Sequence, residues 1–92
     1  MLYLVHMTVS IPDNLATAEA DRIKAEEKAY SQNLQKSGKW PHLWRVVGEY
    51  ANYSVFDVES NDELHDLLSK LPLFKFMKIS VTPLAKHPSS IR

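Results

Sequence analysis

The chain has 92 residues, 45% hydrophobic and 24% charged, which is ordinary for one small soluble globular domain. Eleven basic residues balance eleven acidic ones, and a net charge of zero argues against a general nucleic-acid or anionic-membrane surface. With no cysteine there is no disulfide framework, thiolate metal site or thiol nucleophile, which is compatible with a cytoplasmic location. No apolar run is long enough to span a bilayer, and Met1 to Met7 lacks a basic leader and a small-residue cleavage site, so no signal peptide is expected.

In chain order the pattern predicts strand, helix, strand, strand, helix, strand. Residues 2–10 are rich in β-formers and end before Pro12. Residues 16–36 read as an amphipathic helix closed by Ser37-Gly38, the glycine suiting a left-handed residue after a helix end. Strands are expected at 42–49 and 53–58, joined as a hairpin through Tyr50, Ala51 and Asn52. Ser60 and Glu63 have capping-box spacing. Leu64, Leu67, Leu68 and Leu71 then follow at helical intervals until Pro72. A last strand is expected at 77–82, where Met77, Ile79 and Val81 alternate with polar residues.

This order is the ferredoxin-like βαββαβ arrangement, an α+β fold with two helices on one face of a four-stranded antiparallel sheet. Residues 1–92 make one domain, with 83–92 as a tail too short to fold alone and expected to pack on a neighbouring subunit. A small core leaves a lone monomer marginal. The second sheet face needs a cover; Tyr3, Trp44, Tyr53 and Phe56 supply aromatic area for both faces, so a subunit interface or a ligand cleft is expected.

One residue breaks the pattern. The buried seam of the first helix runs Ala16, Ala20, Ile23, Glu27, Tyr30, Leu34, so an acid stands where an apolar side chain belongs. A charge placed toward a core costs several kcal/mol in order of magnitude unless it is paired or neutralised. Lys24 is three residues earlier, within side-chain reach. The functional reading is a general base whose burial raises its pKa while an ammonium lowers it; the alternative is an ordinary surface ion pair.

Two tryptophans, a histidine and an arginine lie in Trp40-Pro41-His42-Leu43-Trp44-Arg45. Arg45 suits a substrate carboxylate through parallel N–H bonds. Trp40 and Trp44 suit the walls of an apolar pocket, though they equally suit a core or an interface. Asn52 and Ser54 share one strand face and are able to donate to an oxyanion, though both are also common turn and edge residues. Phe56 is a further expected substrate-binding residue. His6, His42, His65 and His87 fit no metal motif, so no metal site is expected. Two glycines cannot build a phosphate loop, and no serine sits in a nucleophile elbow. Acid–base chemistry or simple binding remains.

Residues 42–45, 50–58, 64–66, 71–74 and 87–91 closely resemble muconolactone Δ-isomerase, as do Met7-Thr8-Val9, Pro12 and residues 23–28. The resemblance covers nearly the whole chain. It implies conversion of (+)-muconolactone to 3-oxoadipate enol-lactone in the catechol branch of the β-ketoadipate pathway, with no cofactor and no metal. It further implies a ferredoxin-like fold and a homo-oligomer of dimers assembling to a decamer. Lys24 and Glu27 match positions implicated in that family's active site. Residues 14–19 are unlike the family pattern. The related 5-chloromuconolactone dehalogenases share the scaffold, although Tyr-Ala-Asn-Tyr-Ser at 50–54 keeps the isomerase form. Two further alternatives are a non-catalytic ferredoxin-like oligomeric module and a small cofactor-independent monooxygenase.

Overall fold

The computed structural model describes all 92 residues. Its elements are β1 (Leu2–Val9), α1 (Thr17–Lys36), β2 (His42–Arg45), β3 (Ala51–Asp57), α2 (Asn61–Ser69) and β4 (Met77–Leu84). A short 3-10 turn, Phe74–Phe76, precedes β4. The strands form one antiparallel sheet in the order β2-β3-β1-β4, the predicted ferredoxin-like arrangement.

β1 holds the centre because both its edges are paired: Val5 stands opposite Ser54 of β3 and Val81 of β4. Its side chains alternate between faces as strand geometry demands. Tyr3, Val5, Met7 and Val9 are buried toward the helices, while Leu2, Leu4, His6 and Thr8 face outward. The main core is the layer where Tyr3, Val5 and Met7 meet Trp40, Phe56, Val58, Leu64, Leu68 and Leu71, while Val9 packs with Ile23 and Leu73 in a smaller cluster. Trp40 stacks on Phe56 with ring centroids 4.5 Å apart. Its buried indole N–H has no hydrogen-bond partner, a cost of about 1–3 kcal/mol that the surrounding packing offsets.

The helix ends follow from local chemistry. Gly38 takes φ +84° after α1, a conformation that costs glycine nothing. At α2, Ser60 Oγ accepts from the Glu63 N–H at 3.0 Å. The reciprocal half of the capping box differs from expectation. Glu63 accepts from the Glu59 N–H at 2.9 Å and from Lys39 Nζ at 2.7 Å, not from Ser60.

Two boundaries depart from the sequence reading. β2 stops at Arg45 because residues 46–50 turn: the Glu49 N–H donates to the Val46 carbonyl, and Gly48 sits at φ +80°. The hairpin link is therefore Val46–Tyr50, and β3 starts at Ala51. Adjacent valines read as strand, yet Val47 is 95% exposed. β4 continues to Leu84, two residues beyond expectation. From Ala85 onward every residue is exposed.

The strand aromatics fall on both sheet faces, as expected, with Trp44 and Tyr53 on the outer one. His6 lies 4.6 Å from Tyr53, and His42 stacks on Trp44 at 5.0 Å. Tyr3 and Phe56, by contrast, face the helices. Phe56 is fully buried, so Phe56→Ala should cost about 3–5 kcal/mol of unfolding free energy. Chemical denaturation monitored by circular dichroism checks this.

Candidate active site

Where α1 crosses the end of the sheet, a pocket of about 350 Å³ opens. This is within the usual size range for small-molecule sites. It brings together five residues singled out from the sequence: Lys24 and Glu27 from α1, Trp40, Arg45 from β2, and Asn52 from β3. α1 reaches this position because Ala20 and Ile23 bury themselves one turn earlier. The seam then leaves the tight core: Glu27, Tyr30 and Leu34 are half-buried, and Ala16 is exposed just ahead of the helix.

Glu27 does not pair with Lys24. None of the chain's ion pairs involves either residue. Instead, the backbone N–H of Leu73 donates to Glu27 Oε1 at 2.9 Å. Burial pushes the Glu27 carboxyl above the ordinary glutamate range, and the Leu73 N–H pulls it partly back. On the exposed side of α1, Arg22 takes both nearby acids, Glu19 and Glu26. Lys24 and Lys28 are left without an acid partner at the pocket wall. Arg45 forms no ion pair and lies 5.3 Å over the Tyr50 ring.

Three of the predicted substrate-binding residues lie elsewhere. On β2, Leu43 and Arg45 point to the helix side, which puts Trp44 on the outer face, 56% exposed. Trp40 and Trp44 therefore do not form two walls of one cavity. Phe56 belongs to the core. Ser54 is fully buried beneath Asn52, and its hydroxyl donates to Asn52 Oδ1 at 2.7 Å. That bond occupies the amide oxygen and turns the Asn52 NH₂ into the available donor.

Lys28, Tyr50 and the Leu73 amide were not singled out beforehand. Lys28 was within reach of the helical period, four residues after Lys24. A backbone N–H has no signature in a side-chain pattern. Leu73 sits beside Glu27 only through tertiary packing.

Three uncompensated cations thus ring a half-buried carboxylate against Val9, Trp40 and Leu73. The fold and pocket define a ferredoxin-like α+β protein with a half-buried carboxylate and three cations in one small-molecule-sized pocket. The comparisons narrow this class. The muconolactone delta-isomerase family model matches residues 1–90. Muconolactone Delta-isomerase 1 of Acinetobacter lwoffii is 71% identical over 92 residues, covering all of this chain and 96% of that protein. The muconolactone Delta-isomerase of Cupriavidus pinatubonensis is also 71% identical, over the full length of both. A crystal structure of muconolactone isomerase superposes with a TM-score of 0.95 at 54% identity, covering 100% of this chain and 96% of that one. The chain belongs to the muconolactone Δ-isomerase family.

A half-buried carboxylate imposes a pH-dependent cost on folding. Because the folded pKa lies above the unfolded one, the folded state holds the proton more tightly. Stability therefore falls as pH rises from the ordinary glutamate value through the raised one, and the full cost is present above it. Glu27→Gln should melt higher than the parent at pH 7, with the difference closing as pH falls below the ordinary value of 4.5. Thermal melts across pH check this.

Proposed function

We propose that this chain converts (+)-muconolactone to 3-oxoadipate enol-lactone, with Glu27 carrying one proton from C4 to C2. The observation that carries the proposal is the half-buried, unpaired Glu27 carboxylate in a pocket ringed by cations. Membership of the isomerase family supports it.

The chemistry balances with one base. Glu27 takes the C4 proton, and that C–H pair forms the C3=C4 double bond. The former C2=C3 pair moves to C1=C2, placing negative charge on the lactone carbonyl oxygen. The dienolate then takes the same proton back at C2, and its charge collapses. Only the proton and the double bonds move, so Glu27 ends as it began. A raised pKa suits this task, because the base must accept a proton from carbon yet release it again.

The flanking residues divide two jobs. The substrate carries a carboxymethyl group, and the transition state adds charge on the carbonyl oxygen. Arg45 is suited to clamp the carboxylate, having a planar fork steadied by Tyr50. Lys24, with the Asn52 NH₂, suits the developing oxyanion. Trp40 limits the water that competes for these contacts.

The chloromuconolactone dehalogenase reading shares the scaffold, and chloride release assayed beside isomerisation separates the two. The protein works in the catechol branch of the β-ketoadipate pathway, in the cytoplasm, as a homo-oligomer of dimers assembling to a decamer. The His6–Tyr53 and His42–Trp44 stacks on the outer sheet face, with Tyr53, His42 and Trp44 exposed, support burial against other copies. The exposed tail from Ala85 supports the same reading. No helix is long and apolar enough to cross a membrane.

Glu27→Gln should lower kcat on muconolactone by about 10²–10⁴-fold, the usual range for a lost acid–base group, while the fold is retained. Near-normal kcat would remove Glu27 as the base. Lys24→Ala should lower kcat/KM by roughly a hundredfold, the scale of one lost oxyanion donor. An unchanged value would remove Lys24 from the reaction. Trp44→Asp should shift the protein to smaller species in sedimentation velocity.

A further inference from the structure

Glu27 and Tyr30 lie one turn apart on α1 and both reach backbone groups of a single stretch, residues 67–73. The Tyr30 hydroxyl donates to the Leu67 carbonyl at 2.7 Å. The Leu73 N–H donates to Glu27 Oε1 at 2.9 Å. These contacts have opposite polarity, and they tie the helix bearing the carboxylate to the end of α2 and the turn that follows it.

The stretch is built to supply both groups. The Lys70 N–H closes the last α-helical turn on Asp66 at 3.3 Å, and the Leu71 N–H then tightens onto Leu68 at 3.1 Å. The Leu71 N–H would be the Leu67 carbonyl's ordinary helical partner, so that carbonyl is one of the spare acceptors of a helix end. Tyr30 fills it. Pro72 has no N–H to offer, and the chain reverses so that the next amide, Leu73, points back at α1. Leu71 and Leu73 are both buried, which fixes the turn from below. The Phe74 and Phe76 N–H groups close on Leu71 and Leu73 at 2.9 and 2.8 Å.

We infer that the Leu73 amide positions the Glu27 base by holding Oε1, so that Oε2 carries the proton, and that the Tyr30 hydroxyl acts one step back by fixing the stretch that presents this amide. This rests on the reading of Glu27 as the shuttle. Tyr30 does not line the pocket, so it acts through Glu27 and not through substrate. Burial and the charges of Asp66 and Glu27 hold Tyr30 above the ordinary tyrosine range, which keeps its hydroxyl a donor. A neutral amide orients the carboxylate without quenching its basicity as a bonded cation would. The other titratable groups around Glu27 are Lys24 and Lys28 on α1, Arg45 on β2, Tyr50 in the turn before β3 and, through Tyr30, Asp66 on α2.

The test uses the full-length protein and muconolactone. Tyr30→Phe keeps the ring and removes the hydroxyl. It should lower kcat roughly tenfold, the scale of one displaced hydrogen bond, with KM unchanged and the acid limb of kcat/KM moved to higher pH. At position 73 two changes separate amide from side chain. Replacing leucine by its α-hydroxy acid, which makes a backbone ester, should move the acid limb upward because the ionised carboxylate loses its donor. Leu73→Ala keeps the amide and should leave the limb in place. The inference is overturned if Tyr30→Phe lowers only the melting temperature, or if the ester leaves the pH profile unchanged. Retained activity in Glu27→Gln would instead overturn the shuttle itself, so the two failures are distinguishable.

Discussion

The hydrogen bond from the Leu73 amide to Glu27 Oε1 is the contact on which the rest of the site depends. A carboxylate facing the interior must be paired, neutralised or solvated. Pairing with a cation would satisfy it and typically lowers its pKa by one to three units. A backbone dipole satisfies one oxygen, leaves the other free, and sacrifices less basicity. The balance of burial and that single N–H leaves Glu27 above the ordinary glutamate range. Lys24, Lys28 and Arg45 form no ion pair, while Arg22 holds Glu19 and Glu26 on the exposed side of the helix.

The scaffold makes this arrangement affordable. The doubly paired β1 and the aromatic and leucine layer above it supply the stability. The pocket lies at the end of that layer, where α1 leaves the tightest packing. One break in an apolar seam there costs less than it would at Ile23, which is buried. The same half-burial that weakens folding at neutral pH raises the carboxyl's pKa, as the proposed proton transfer requires.

Much of the fold was legible because it rests on periodicity and caps. The leucine stripe of α2, the Ser60 cap and Gly38 after α1 each have a local cause. The hairpin was shifted because Val46 and Val47 look like strand, while Gly48 sets the turn. At the site, Glu27 was visible as a violation of helical period, Arg45 as a fork suited to a carboxylate, and Asn52 as a side-chain donor sharing a strand face with Ser54. Trp44 was misplaced with Trp40 because the strand between them starts only at His42, and period two then sends Trp44 outward. Ser54 proved to be a support for Asn52. The Leu73 amide was invisible, since no side chain announces a backbone donor 46 residues away from its acceptor.

The most direct measurement follows the proton itself. With muconolactone deuterated at C4 and a single turnover in ordinary water, a one-base shuttle delivers part of the deuterium to C2 of the enol-lactone. Deuterium at C2 in the wild-type product, absent when the conversion is driven by external base, is the predicted result. Complete loss of the label to solvent within the first turnover would contradict a single carboxylate moving from C4 to C2.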